Sequence, residues 1–65
     1  MKVTYDPETD AMIITLRDER IAESDEVRSG VIADFDAEGV VVRFEIMRAS
    51  KAVENVRDIQ FVVTE

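Results

Sequence analysis

Residues 34–45 read DFDAEGVVVRFE, and they admit two readings that lead to different proteins. Asp34, Asp36 and Glu38 stand where a calcium loop carries its first three ligands, Gly39 takes the glycine position, and Glu45 takes the twelfth. Only Glu38 departs from the Asp or Asn preferred at its place, and carboxylate oxygens are the ligands calcium takes. The flanks argue otherwise. A calcium loop of this kind lies between helices, whereas GVIADF before it and VVVRFEIM after it are rich in β-branched and aromatic residues. In an extended run Glu45 would lie about 16–20 Å from Gly39, too far to close on Asp34. The stretch therefore reads as strand, turn, strand. Asp36, Ala37, Glu38 and Gly39 form the turn, with Gly39 supplying the positive φ. A calcium loop on Asp34, Asp36 and Glu38 is the minor alternative.

Working outward, 31–35 (VIADF) and 40–47 (VVVRFEIM) are the two strong strands. Upstream, KVTY (2–5) and AMIITL (11–16) are shorter strands joined by DPETD (6–10). Pro7 presets φ for that turn, and the Asp6 carboxylate can accept from the backbone beyond it. Asp6, Glu8 and Asp10 alternate like ligands, but no glycine follows, so Asp6, Pro7 and Asp10 are read as turn-forming. RDER (17–20) is a polar connection, and IAESDEV (21–27) is an acidic strand of the kind that guards a sheet edge. Downstream the period changes. Ala49, Ala52, Val53 and Val56 fall at helical spacing within 48–56, and Ser50 is a candidate cap. IQFVV (59–63) is a last strand or an extended arm. Strands first and one late helix predict an α+β fold: a small, mostly antiparallel sheet, a meander of hairpins, with one helix packed on a face.

Alternation assigns the faces. Val3, Tyr5, Met12, Ile14, Leu16, Val31, Ala33, Phe35, Val40, Val42, Phe44 and Ile46 share one, the expected core. The other mixes Ile13, Ile32 and Val41 with Thr15, Asp34, Arg43 and Glu45. A sheet face left to water is normally more polar, so this half-apolar second face is expected to meet another chain.

Composition narrows the functions. One domain of 65 residues buries only about 60% of the surface its unfolded chain exposes and usually needs a further staple. Cysteine and histidine are both absent, which removes disulfides, zinc sites, cysteine nucleophiles and histidine-based triads. Association with another chain is the staple left. The N-terminus lacks the apolar core of a signal peptide, no apolar run approaches membrane-spanning length, and lack of cysteine fits a reducing compartment, so the expected location is cytoplasmic. The net charge is −7, and all of the excess lies in residues 1–38, which hold eleven acids and four bases. That surface disfavours nucleic acid and favours a basic partner. The carboxylates are expected to be solvated, in a chain too short to shape a cleft around them, so no enzyme, catalytic residue or cofactor is expected.

YDPETDAMIITL, the acidic IAESDEV and GVIADFDAEGVVVRFEIMRASK together resemble a family of small bacterial and archaeal proteins, domain of unknown function 2283. The resemblance covers roughly residues 3–51 and rests on Tyr5-Asp6, Asp10-Ala11, Gly30-Val31, Asp34-Phe35-Asp36, Gly39, Glu45-Ile46 and Ala49-Ser50. It implies a small sheet followed by a helix, no established activity, and a role as partner of small toxin-like proteins. Ile13 and Ile32 depart from the polar or aromatic residues common there, which makes the second face more apolar.

The functional expectation is an acidic, antitoxin-like interaction domain that binds a small basic protein. Ile13, Ile32 and Val41 would supply the apolar contact, and Glu23, Asp25 and Glu26 the charge. The alternative is a self-associating domain, a homodimer through the same face.

Overall fold

The computed structural model describes residues 1–65. Five strands, β1 (Lys2–Asp6), β2 (Ala11–Thr15), β3 (Glu23–Arg28), β4 (Val31–Phe35) and β5 (Val41–Ile46), precede a one-turn helix, α1 (Ala49–Ala52). All pairings are antiparallel, and the strands form a single sheet in the order β1-β2-β5-β4-β3. The expected small α+β fold is what forms. Its hairpins are interrupted once: β5 inserts beside β2, which converts the meander into a Greek key. The connection 16–22 that makes this possible runs along one end of the sheet. Leu16 N donates to Val42 O, Ala22 N donates to Phe35 O, and the Arg17 guanidinium reaches Asp36 and the Val40 carbonyl.

Local chemistry explains the turns. Between β4 and β5, Gly39 N donates to Asp36 O and Asp36 N to Val40 O, with Gly39 at φ +81°. This is a type I turn closed by a left-handed glycine. The Asp36 carboxylate tightens it by accepting from both Glu38 N and Val40 N at 2.9 Å. Between β1 and β2, Asp6 accepts from Glu8 N at 2.9 Å, and Asp10 closes the loop at φ +54°. Asp is one of the few side chains that tolerates that region.

Cross-strand partners lie on the same face of a sheet, so the register assigns every side chain. One face holds the rows Tyr5, Met12, Ile46, Val31 and Val3, Ile14, Phe44, Ala33, with Leu16, Val42 and Phe35 beyond. This is the expected apolar face. Val40 falls outside it, in the turn and 50% exposed. The other face holds Thr4, Ile13, Glu45, Ile32, Glu26 in one row and Lys2, Thr15, Arg43, Asp34, Ser24 in the next.

The helix differs from its sequence expectation. It spans Ala49–Ala52 rather than 48–56, and Val53 is already extended. Arg48, in the N-cap position, sits in the left-handed region at φ 51° and offers no side-chain cap. Ser50 does not cap either. A single turn is below the length at which helices sustain themselves, and it cannot roof a five-stranded sheet. The molecule is accordingly a slab of 34 × 33 × 18 Å in which only six residues are fully buried: Met12, Gly30, Ala33, Asp34, Val42 and Ala49. Val3, Ile14, Val31, Phe35, Phe44 and Ile46 remain only partly buried. Residues 59–63 join no strand of the sheet, and Ile59, Phe61, Val62 and Val63 are 61–78% exposed.

Candidate functional site

Three polar knots hold the sheet, and they absorb most of the chemistry-bearing residues. The first is built on Asp10. Its Oδ1 accepts from Tyr5 OH at 2.7 Å and from Ser50 N at 3.0 Å, its Oδ2 accepts from Ser50 Oγ at 2.7 Å, and its main-chain oxygen accepts from Ala49 N at 2.9 Å. Asp10 thus serves as the cap that α1 lacks, supplied from the β1–β2 loop. The bonds from Ser50 and then Tyr5 hold its carboxyl below the ordinary carboxylate range. The same bond to Asp10 pushes the Tyr5 phenol above its ordinary value.

The second knot lies at the centre of the mixed face. Asp34 is fully buried there and takes Arg43 Nε at 2.7 Å and Ser24 Oγ at 2.5 Å, while Arg43 Nη2 reaches Glu45 at 3.7 Å. Burial by itself would raise the Asp34 carboxyl, but the hydrogen bonds from Glu45, Ser24 and Arg43 outweigh it and lower it. Glu45 moves the other way: its hydrogen bond to Asp34 and its burial raise it.

The third knot is the β4–β5 turn, where Arg17 Nη2 lies 2.6 Å from Asp36 Oδ2. Both oxygens of Asp36 therefore already accept bonds from the protein. Asp34 is turned to Arg43 and Ser24, and no group of three or more carboxylates converges as a metal cage. The stretch 34–45 is a hairpin with its Asp side chains engaged in holding it. The largest hollow, roughly 670 Å³, lies against this turn and the 16–22 connection and includes Arg17, Arg20, Ile21 and Glu38.

The residues expected to form an interface are divided by the register. Ile13 and Ile32 lie on the mixed face in one row, with Glu45 between them, and Glu26 extends that row beside Ile32. Val41 sits at a bulge opposite Phe35, where simple alternation no longer places it. Glu23 and Asp25 pair with Phe35 and Ala33, which puts both acids on the apolar face. Ser24, Arg43 and the long-range role of Asp10 carried no local signal. Asp10 acts on a residue 40 positions away.

What remains for recognition is surface. The apolar face is only partly covered: Met12, Ala33 and Val42 on it are buried, while Val3, Ile14, Phe35, Phe44 and Ile46 stay half-buried. Every residue of β3 (ESDEVR) is exposed, so Glu23 and Asp25 form a negative rim along the edge of that face.

Comparison with protein families places the chain in one of them. The model of the family described as "Protein of unknown function (DUF2283)" matches residues 2–50, and the chain belongs to that family. Comparison with curated proteins and with solved structures found no match. The residues that carried the resemblance are now accounted for by the fold. Tyr5, Asp10, Ala49 and Ser50 form the first knot, Asp34 and Glu45 the second, and Asp36 and Gly39 the turn. Gly30, at φ +78°, accepts from Met47 N and lies under the Arg48 guanidinium.

Proposed function

We propose, on the premise of that membership, that the chain is an acidic protein-interaction domain that acts by masking a small basic protein, in the manner of an antitoxin. The observation that carries this reading is the pairing of an apolar sheet face, on which Ile14, Phe35, Phe44 and Ile46 stay half-buried, with the exposed acids of β3 along its edge. Ile14, Phe44, Ile46 and Phe35 would supply the area that leaves water on docking, at about 25 cal/mol per Å². Glu23 and Asp25, on the same side, would meet the partner's Lys or Arg and speed its approach. This moves the contact from Ile13, Ile32 and Val41 to the opposite face. Ile13 and Ile32 are separated there by Glu45, which is tied into the Arg43–Asp34 knot.

The test is capture from native cell extract at low and high salt, with bound proteins identified by mass, using the wild-type chain and the double variant Glu23→Lys/Asp25→Lys. A single small basic protein held by the wild type, lost at high salt and lost by the variant, is the expected result. Equal capture by both chains would remove the support for the acidic rim.

A second reading, self-association, is favoured by a different observation: the exposed apolar residues of 59–63.

A further inference from the structure

Residues 59–65 make no backbone hydrogen bond within the chain, and no side chain of the fold bonds to them. Ile59, Phe61 and Val63 alternate, so in extended form they line one side, as a strand buried on one face does. At 61%, 78% and 65% exposure they are among the most exposed large apolar side chains of the molecule. The sheet has two open edges, β1 and β3. β3 is acidic and bulged between Glu26 and Arg28, features that deter strand addition. β1 pairs with β2 in unbroken register over five residues and carries Val3 and Tyr5 on the apolar face.

From these we infer that residues 59–63 of one copy add as a sixth strand to β1 of a second copy, reciprocally, so that the chain is an arm-exchanged dimer. Five residues of arm match the five of β1. Antiparallel addition with Phe61 opposite Tyr5 and Val63 opposite Val3 extends the apolar face by one strand and sets Glu65 opposite Met1. Parallel addition with Phe61 opposite Val3 and Val63 opposite Tyr5 would instead set Glu65 opposite Pro7.

The partner is a second copy because the arm leaves its own β1 unpaired. A turn at 55–58, in which Arg57 N donates to Asn55 Oδ1 and Asp58 N to Asn55 O, sets its root. Beyond it residues 59–65 make no backbone hydrogen bond to their own β1, whose outer edge stays open for the arm of another copy. The exchange is isologous, as a two-fold dimer requires, and it gives a chain of this size the further burial it lacks. It uses the edge opposite β3, so it is independent of the partner-masking reading and leaves Glu23 and Asp25 free.

Light scattering on the full chain at micromolar to millimolar concentration, with the chain truncated after Asp58 and the variant Phe61→Asp beside it, reads the stoichiometry. The expected result is a dimer for the full chain and a folded monomer for the variant. In a sample mixed from two isotope labellings, ring-to-ring contacts between Phe61 and Tyr5 are expected only across chains. That measurement on the unaltered protein decides the matter if a variant fails to fold. A monomeric full chain, a dimer that survives both changes, or a Phe61–Tyr5 contact within one chain would each overturn the inference. Glu23→Lys/Asp25→Lys leaves this dimer intact, which keeps its failure separate from failure of the proposed function.

Discussion

Asp10 and Ser50 are joined by two hydrogen bonds across 40 residues of chain, one to the Ser50 amide and one to its hydroxyl. Through them a loop between the first two strands determines where the chain goes after the last. Asp10→Asn tolerates the same left-handed backbone but loses the charge and the bond from Ser50 Oγ. The expected outcome is faster amide exchange at Ser50, with Ala49, bonded to the main-chain oxygen, changed less, and a lower melting temperature. Because the folded Asp10 carboxyl lies below its ordinary value of about 4, its contribution is fully present above that value. It is lost as pH falls through the lower folded value. Asp10→Asn should flatten that acid limb in a series of melts against pH.

Tyr5 offers a clean readout of the same knot, since the chain has one tyrosine and no tryptophan. Its phenol is raised chiefly by the bond to Asp10. Ultraviolet absorbance of the phenolate should show Tyr5 titrating above about 10 in the native chain and nearer to it in Asp10→Asn. The sign for stability is opposite to that of Asp10. The Tyr5 contribution is fully present below the ordinary tyrosine value and is lost as pH rises through the folded one.

The Asp34–Glu45 pair makes two predictions of opposite sign. Asp34→Asn leaves Arg43 without its buried partner and should cost about 2–3 kcal/mol in denaturant unfolding, the worth of hydrogen bonds to a charge. That is a large share of the stability of so small a domain. Glu45→Gln should stabilise. The folded Glu45 carboxyl is raised by Asp34, so Glu45 favours folding below the ordinary glutamate value and loses that advantage as pH rises through the folded one. An amide at 45 can still donate to Asp34 without the repulsion, and a gain of up to about 1 kcal/mol at neutral pH is the expected size.

Gly39 isolates a purely conformational effect. At φ +81° a Cβ placed there meets nothing within 4 Å, so Gly39→Ala adds backbone strain and no clash. The expected cost is about 1–2 kcal/mol, and Gly39→Asn, which tolerates the left-handed region, should cost less. Denaturant midpoints of the two variants check the order.

Much of this was legible in the residues. Alternation and β-branched runs located all five strands to within a residue or two, and DAEG was readable as the turn it is. The apolar face emerged with one exception, Val40, which lies in the turn, because period-two patterning survives wherever the ladder is regular. It failed at the bulges: Val41, read as a member of the mixed face, sits where two residues of β5 oppose Phe35. Helical spacing at 48–56 also misled. Spacing reports which residues could share a helix face, and it is silent on Arg48 entering the left-handed region and on Val53 leaving the helix. The strand order and the role of Asp10 depend on partners far away in the chain, which no local pattern encodes. Glu23 and Asp25 were recognised as an acidic edge, but only the register with Phe35 and Ala33 puts them on the apolar face.

The proposed function requires that the half-buried side chains of the apolar face leave enough surface for a partner to cover. A dye that fluoresces on apolar surface tests it directly, applied to the native chain at neutral pH beside Phe61→Asp and Phe44→Gln. Binding by the folded wild type is expected, retained in Phe61→Asp, and strongly reduced in Phe44→Gln with its sheet signal unchanged. No binding by the wild type, or binding that Phe61→Asp abolishes and Phe44→Gln does not, would contradict it.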